Sequence, residues 1–120
     1  MSTKTIYEDG SYLSSNPTWH AEDSPWKAEQ ISKILIKNKI DPSTVCEIGC
    51  GAGEILNCLA DFAAFTAFFT GYEISPQAFD ICSMKQRQNL YFQLGDLLDE
   101  KDAWFDVVMA IDVFEHVELH

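Results

Sequence analysis

Apolar positions recur first at helical spacing and then, past residue 43, in short blocks. Residues 1–24 are polar and turn-rich, with Gly10, Ser14, Ser15, Asn16 and Pro17, and read as a lead-in arm. At Asp23, Ser24 and Pro25 a capping-type residue precedes a proline suited to a first helical turn. Trp26, Ile31, Ile34 and Leu35 then form a periodic apolar set, which predicts a helix over 25–40 that stops before Pro42. "TVCEIG" predicts a buried strand closing at Gly49, and "GEILNCLADFAAF" a helix with Ile55, Leu56, Leu59, Phe62 and Ala63 inward. "FFTGYEI" is a second strand, and Ser75-Pro76 opens a helix reaching about residue 87. "LYFQLGD" is a third strand, "DEKD" a polar turn and "WFDVVMAID" a fourth strand.

Strands alternating with helices predict an α/β fold, a Rossmann-like doubly wound parallel sheet with right-handed crossovers and helices on both faces. "FDVVMAI" is apolar almost throughout, as a strand covered on both faces would be. The chain stops at "FEHVELH", where another helix would begin, so the expectation is the first part of a longer domain. Taken as it stands, the fourth strand would be an apolar edge needing a cover, for which a second copy in a dimer is one candidate. At 120 residues there is room for one core. It divides into the arm at 1–24 and a domain at 25–120, itself a capping helix at 25–40 followed by β-α-β units at 44–120.

Composition narrows the partners. A formal charge of −11 argues against affinity for nucleic acid or anionic membrane, since neither polyanion would be attracted to this surface. A small cationic or zwitterionic partner is compatible. Cys46, Cys50, Cys58 and Cys82 fall singly within apolar segments without metal-ligand spacing, which reads as buried packing of reduced thiols. The opening "MSTKTIYEDG" lacks the apolar core of a signal peptide, so a cytoplasmic location is expected. The stretch 55–69 is rich in Ala and Phe, but Asn57, Asp61 and Thr66 interrupt it and it is short of the roughly 20 apolar residues of a spanning helix.

The candidate chemistry lies in "VCEIGCGAGEIL", where Gly49, Gly51 and Gly53 follow the first strand. In parallel sheets, ligands bind at the carboxyl ends of strands beside the point where strand order reverses. Glycines there let a ligand rest against the backbone and meet N–H groups at the helix start. The spacing is G-x-G-x-G, not the G-x-G-x-x-G of dinucleotide sites, and Glu47 stands two residues before the first glycine. A carboxylate there disfavours a pyrophosphate and favours an ammonium group. Glu73 ends the second strand, where an acid can accept both hydroxyls of a ribose. Asp96, after the third strand, is placed to accept from an adenine amine with Leu97 packing on the ring, although a simple loop acid explains it equally well.

These residues resemble the class I S-adenosylmethionine-dependent methyltransferases. "VCEIGCGAG", "GYEIS", "LGDLL" and "FDVVMAIDVFEHV" occur in the family's order over residues 45–117. The resemblance implies a seven-stranded sheet, of which about four strands are present here, and S-adenosyl-L-methionine as cofactor, with S-adenosyl-L-homocysteine as product. It implies Gly49, Cys50, Gly51 and Gly53 along the methionine part with Glu47 orienting it, Glu73 and Ile74 at the ribose, and Asp96 and Leu97 near adenine. Ile111, Asp112 and Val113 would lie beside the methionyl or substrate side. The lead-in "NPTWHAEDSPWKA" is similar to the N-terminal segment of some small bacterial members, which implies Trp19, His20, Trp26 and Lys27 near the pocket mouth. A core role for Trp26 and a solvated Lys27 are the competing readings.

Methyl transfer from a sulfonium to a small-molecule acceptor is a direct displacement, in which alignment and exclusion of water are the protein's work. A base is needed only where the acceptor must lose a proton. His116, preceded by Glu115 and four residues after Asp112, is the candidate. In some quinone-methylating relatives the corresponding positions are associated with a divalent cation, and a partly exposed helix histidine is the plain alternative. Two other functions stay open: a non-catalytic binder of S-adenosylmethionine or S-adenosylhomocysteine, and a nicotinamide-dependent oxidoreductase, which the glycine spacing disfavours.

Overall fold

Three parallel ladders set the architecture of the computed structural model, which describes residues 23–62 and 65–111. Strand β1 (Thr44–Ile48) lies between β2 (Phe68–Glu73) and β4 (Val107–Met109), and β3 (Leu90–Leu94) lies outside β2, giving the order β3-β2-β1-β4. The chain moves outward from β1 to β3 and then returns to the other flank of β1. Strand order therefore reverses beside β1, and the turn that leaves its carboxyl end faces the switch point. Helix α1 (Ser24–Lys37) precedes the sheet, while α2 (Glu54–Asp61) and α3 (Pro76–Cys82) are the crossovers β1 to β2 and β2 to β3.

Registered partners of a parallel ladder share a face. Val45, Phe69 and Leu90 make one row, and Glu47, Gly71, Phe92 and Met109 the next. Ala28 and Leu35 from α1, Ile55, Leu56 and Leu59 from α2, and Cys82 from α3 close over these rows in a single buried cluster. The described α-helices thus lie on one face. On the other, Tyr72 is buried with its ring edge-on to Phe105 at 6.4 Å, whereas Phe68, Tyr91 and Val108 stay about half exposed.

Several sequence expectations are corrected. Trp26 is 65% exposed and Ile34 59%, so neither is a core residue. The inner stripe of α1 is Ser24, Ala28, Ile31 and Leu35, whose small members let the helix come close to its neighbour. Asp23 holds the N-cap position without a side-chain cap bond. Helix α2 ends at Asp61 because Phe62 turns extended, and α3 ends at Cys82, passing into a 3₁₀ turn at Ser83–Lys85. That early stop lets Arg87 reach back to the end of α2, where it donates to Asn57 Oδ1 at 2.6 Å, Asn57 O at 3.1 Å and Asp61 Oδ1 at 2.8 Å. A guanidinium there complements the helix's exposed carbonyls. The fourth strand is three residues long and, with Val108 50% exposed, is not covered on both faces. Its start is held by Asp106, whose Oδ2 accepts from Ser43 N at 2.7 Å and Thr44 N at 3.3 Å while its own N–H donates to Thr44 Oγ1 at 2.9 Å. Among the described residues no helix is long and apolar enough to cross a membrane.

Gly71 is a point of close approach on the sheet's covered face. A Cβ there would lie 2.7 Å from Phe92 Cδ1 and 2.8 Å from Cys50 Sγ. Gly71→Ala should destabilise the protein by about 1–3 kcal/mol in urea unfolding, and adding Phe92→Leu should return part of that loss, a non-additivity that marks a shared contact. An unchanged urea midpoint for Gly71→Ala would contradict the close approach.

Candidate functional site

The turn from β1 into α2 is left-handed at alternate residues: φ is +67° at Gly49, +58° at Gly51 and +81° at Gly53. Residues with a Cβ enter that region at a cost, which accounts for the G-x-G-x-G spacing. Gly53 has a second reason. A Cβ on it would lie 2.6 Å from Phe92 Cζ and 3.0 Å from Cys82 Cβ, so the turn rests directly on β3 and α3.

The turn's amides are engaged by the protein. Gly49 N and Cys50 N donate to Tyr72 O at 2.8 and 3.2 Å, Gly53 N to Cys50 O at 2.9 Å, and Gly51 N to Glu73 Oε1 at 2.8 Å. These four peptide groups are engaged within the protein, and carboxylate stands beside them.

Two buried acids flank the turn. Glu47, in the row Phe92–Gly71–Glu47–Met109, is 3% exposed, and Glu73 is 1% exposed. Glu73 Oε2 accepts from Ser75 N at 2.8 Å, so its carboxylate joins the β1-to-α2 turn to the start of α3, where Ser75 Oγ caps the helix by accepting from Ala78 N at 3.3 Å. Burial raises the pKa of Glu73 above the ordinary glutamate value, against the lowering effect of backbone N–H groups at Ser75, Gly51 and Ile74. Both acids act on Cys50. Its thiol is held well above the usual range, first by its hydrogen bond with the Cys82 thiol, then by burial and by the charges of Cys82, Glu47 and Glu73. Cys46 is pushed up to about 12 by burial and by Glu47. These thiols stay protonated at neutral pH. Cys46, Cys50 and Cys82 are buried and Cys58 half-buried, all unbridged, as small packing residues.

The structure thus brings Glu47, Gly49, Cys50, Gly51, Gly53 and Glu73 together at the carboxyl ends of β1 and β2, with Ile74 partly buried next in the chain. Asp96 and Leu97 follow β3 and are partly buried. Asp96 is engaged in its own turn, where Oδ1 accepts from Leu98 N at 3.0 Å and opens the 3₁₀ helix Leu97–Asp99. Ile111, partly buried, packs on the core beyond β4. Trp26 and Lys27 lie in the first turn of α1. A groove of about 400 Å³ beside them, lined by Pro25, Glu29, Cys58, Asp61 and Phe62, includes none of the turn residues. Trp19, His20, Asp112, Val113, Glu115 and His116 lie outside the described residues. Gly71 and Phe92, which carry the turn from below, were missed by sequence reasoning. An isolated glycine inside a strand was a readable sign of close approach; Phe92 had none.

A family model described as a methyltransferase domain matches residues 46–120. The chain belongs to the methyltransferase domain family. No curated protein sequence matches it. Among solved structures it is similar to the plantazolicin methyltransferase BpumL in complex with a monoazolic desmethyl-plantazolicin analog and SAH (22% identity, TM-score 0.65, covering 95% of this chain and 50% of that one). It is also similar to the methyltransferase domain of bacterial CtHen1 (19% identity, TM-score 0.63, 82% and 54%). A third likeness is to magnesium protoporphyrin IX methyltransferase from Synechocystis PCC 6803 with bound SAH (24% identity, TM-score 0.59, 75% and 42%). At these identities the likeness establishes the methyltransferase fold, and the chain spans about half the length of those structures.

A carboxyl whose folded pKa is raised favours the fold below its ordinary value, here 4.5, and withdraws that contribution as pH rises through the raised one. In a carbon-detected NMR titration of the ligand-free protein, Glu73 should therefore ionise above the ordinary glutamate value. A midpoint at or below it would overturn the balance between burial and backbone hydrogen bonds.

Proposed function

We propose that the turn and its two acids hold S-adenosyl-L-methionine and its product S-adenosyl-L-homocysteine, and that the protein transfers the methyl group to a small-molecule acceptor by direct displacement. One observation carries this reading: beside a left-handed glycine turn, four of whose amides donate to the protein, stand two buried carboxylates. Such a site accepts hydrogen bonds and negative charge is unwelcome in it. It suits a ligand rich in donors, an ammonium and ribose hydroxyls, and it is poorly matched to the pyrophosphate of a nicotinamide dinucleotide.

In this reading Glu47 orients the ammonium end beside Gly49, Cys50, Gly51 and Gly53. Glu73 accepts from the ribose with Ile74 alongside, Leu97 and Asp96 border the adenine, and Ile111 begins the wall toward the acceptor. When bound, the cofactor supplies an electrophilic methyl group on a positively charged sulfur. The chain's part is to fix that group's direction and exclude water, which accounts for a site built from buried backbone. Asp112, Val113, Glu115 and His116, with Trp19 and His20, are assigned to the acceptor side, with His116 as the base for acceptors that must lose a proton. The SAH bound in the BpumL and magnesium protoporphyrin IX methyltransferase structures supports the cofactor assignment.

Calorimetry should show binding of S-adenosylmethionine and S-adenosylhomocysteine and none of NAD. Glu73→Ala should weaken the homocysteine form by about 1–3 kcal/mol through the loss of charge-assisted hydrogen bonds. Equal affinity in the variant, or preference for NAD, would refute the assignment. Transfer of a labelled methyl group to small acceptors distinguishes an enzyme from a non-catalytic binder.

A further inference from the structure

We infer that Glu73 is a positioning residue as well as a ribose acceptor: its carboxylate fastens Gly51 and so holds the glycine turn in shape before the cofactor arrives. The inference rests on the cofactor reading of the site and adds to it a second route by which the same acid affects binding. Gly51 is buried, lies at φ +58° and donates its N–H to Glu73 Oε1 at 2.8 Å across 22 positions of sequence. Without that oxygen, a buried amide would lose its acceptor, which is costlier than losing a solvated bond. The other oxygen holds Ser75 N at 2.8 Å, so one carboxylate ties together the two turns that border the site.

Gly49 N and Cys50 N are fixed to Tyr72 O, one residue before Glu73, and Gly53 N is bonded within the turn. Gly51 is thus the residue whose orientation depends on a side chain instead of a carbonyl. The two roles are compatible, because an ionised carboxylate offers about four acceptor positions. The backbone N–H groups of Gly51, Ser75 and Ile74 act on three of them, leaving a position for a ribose hydroxyl. The titratable neighbours that act with Glu73 on this spot are Cys50, with Cys82 and Glu47 beyond it.

The test separates the two routes with an analogue of S-adenosylhomocysteine whose ribose lacks both secondary hydroxyls. If Glu73 acted through the ribose alone, Glu73→Ala would leave the affinity for this analogue unchanged, and that result would overturn the inference. The turn route predicts a loss of about fivefold or more, the scale of one buried hydrogen bond, partly recovered in Glu73→Gln, which keeps an acceptor oxygen. A second measurement needs no variant and no ligand. The Gly51 amide resonance should move with the same midpoint as the Glu73 carboxyl carbon, and an amide indifferent to that ionisation would overturn the clamp. Failure of the unaltered protein to bind S-adenosylhomocysteine would instead refute the proposed function, with the Gly51 titration still deciding the clamp.

Discussion

The left-handed turn between β1 and α2 is the constraint on which the rest of the molecule depends. Three peptide units must adopt a backbone conformation that disfavours a Cβ, and the turn must also lie flat on Phe92 and Cys82. Those demands coincide at Gly53, where both conformation and space exclude a side chain. Because Gly71 gives way to the same phenylalanine ring one strand over, the turn, β2 and β3 meet around a single aromatic side chain. A packed interior does not deform continuously, so this contact sets the position of the turn relative to the strand ends.

Electrostatics follow from that packing. With four amides of the turn bound to Tyr72 O, Cys50 O and Glu73, two carboxylates stand beside it in a low-dielectric setting within an already acidic chain. Burial holds Glu73 toward its neutral form, and the same field keeps the Cys46 and Cys50 thiols protonated. A ligand bringing donors or positive charge relieves each of these tensions at once, whereas one bringing phosphate would add to them.

Topology places this chemistry. The order β3-β2-β1-β4 sets the turn at the switch point, and on the face where the described helices collect, Glu47 and Glu73 are both buried. Arg87 across the end of α2 and Asp106 across the starts of β1 and β4 fix the far ends of the same elements. Half-exposed Phe68, Tyr91 and Val108 show that the second face is less fully packed in this chain.

The alternation of strands and helices, the glycine turn and the two strand-end acids were legible in the sequence, because each is a local pattern: a change of hydrophobic period, a spacing that only left-handed backbone explains, an acid closing an apolar run. Helix ends were overestimated past Asp61, where apolar residues run on but Phe62 turns extended, and past Cys82, where the chain tightens into the 3₁₀ turn Ser83–Lys85 and Arg87 reaches back to Asn57. For Trp26 a place at the pocket mouth, implied by the resemblance, competed with a core role; α1 packs through Ala28 and Leu35 and leaves it out of the core. That Gly51 and Ser75 would share the Glu73 carboxylate, and that Phe92 would lie beneath both Gly53 and Gly71, was decided by the tertiary structure alone. Local pattern carries the period and the backbone preference of a segment; which donor finds which acceptor across 22 residues depends on strand register, and register exists only once the sheet has formed.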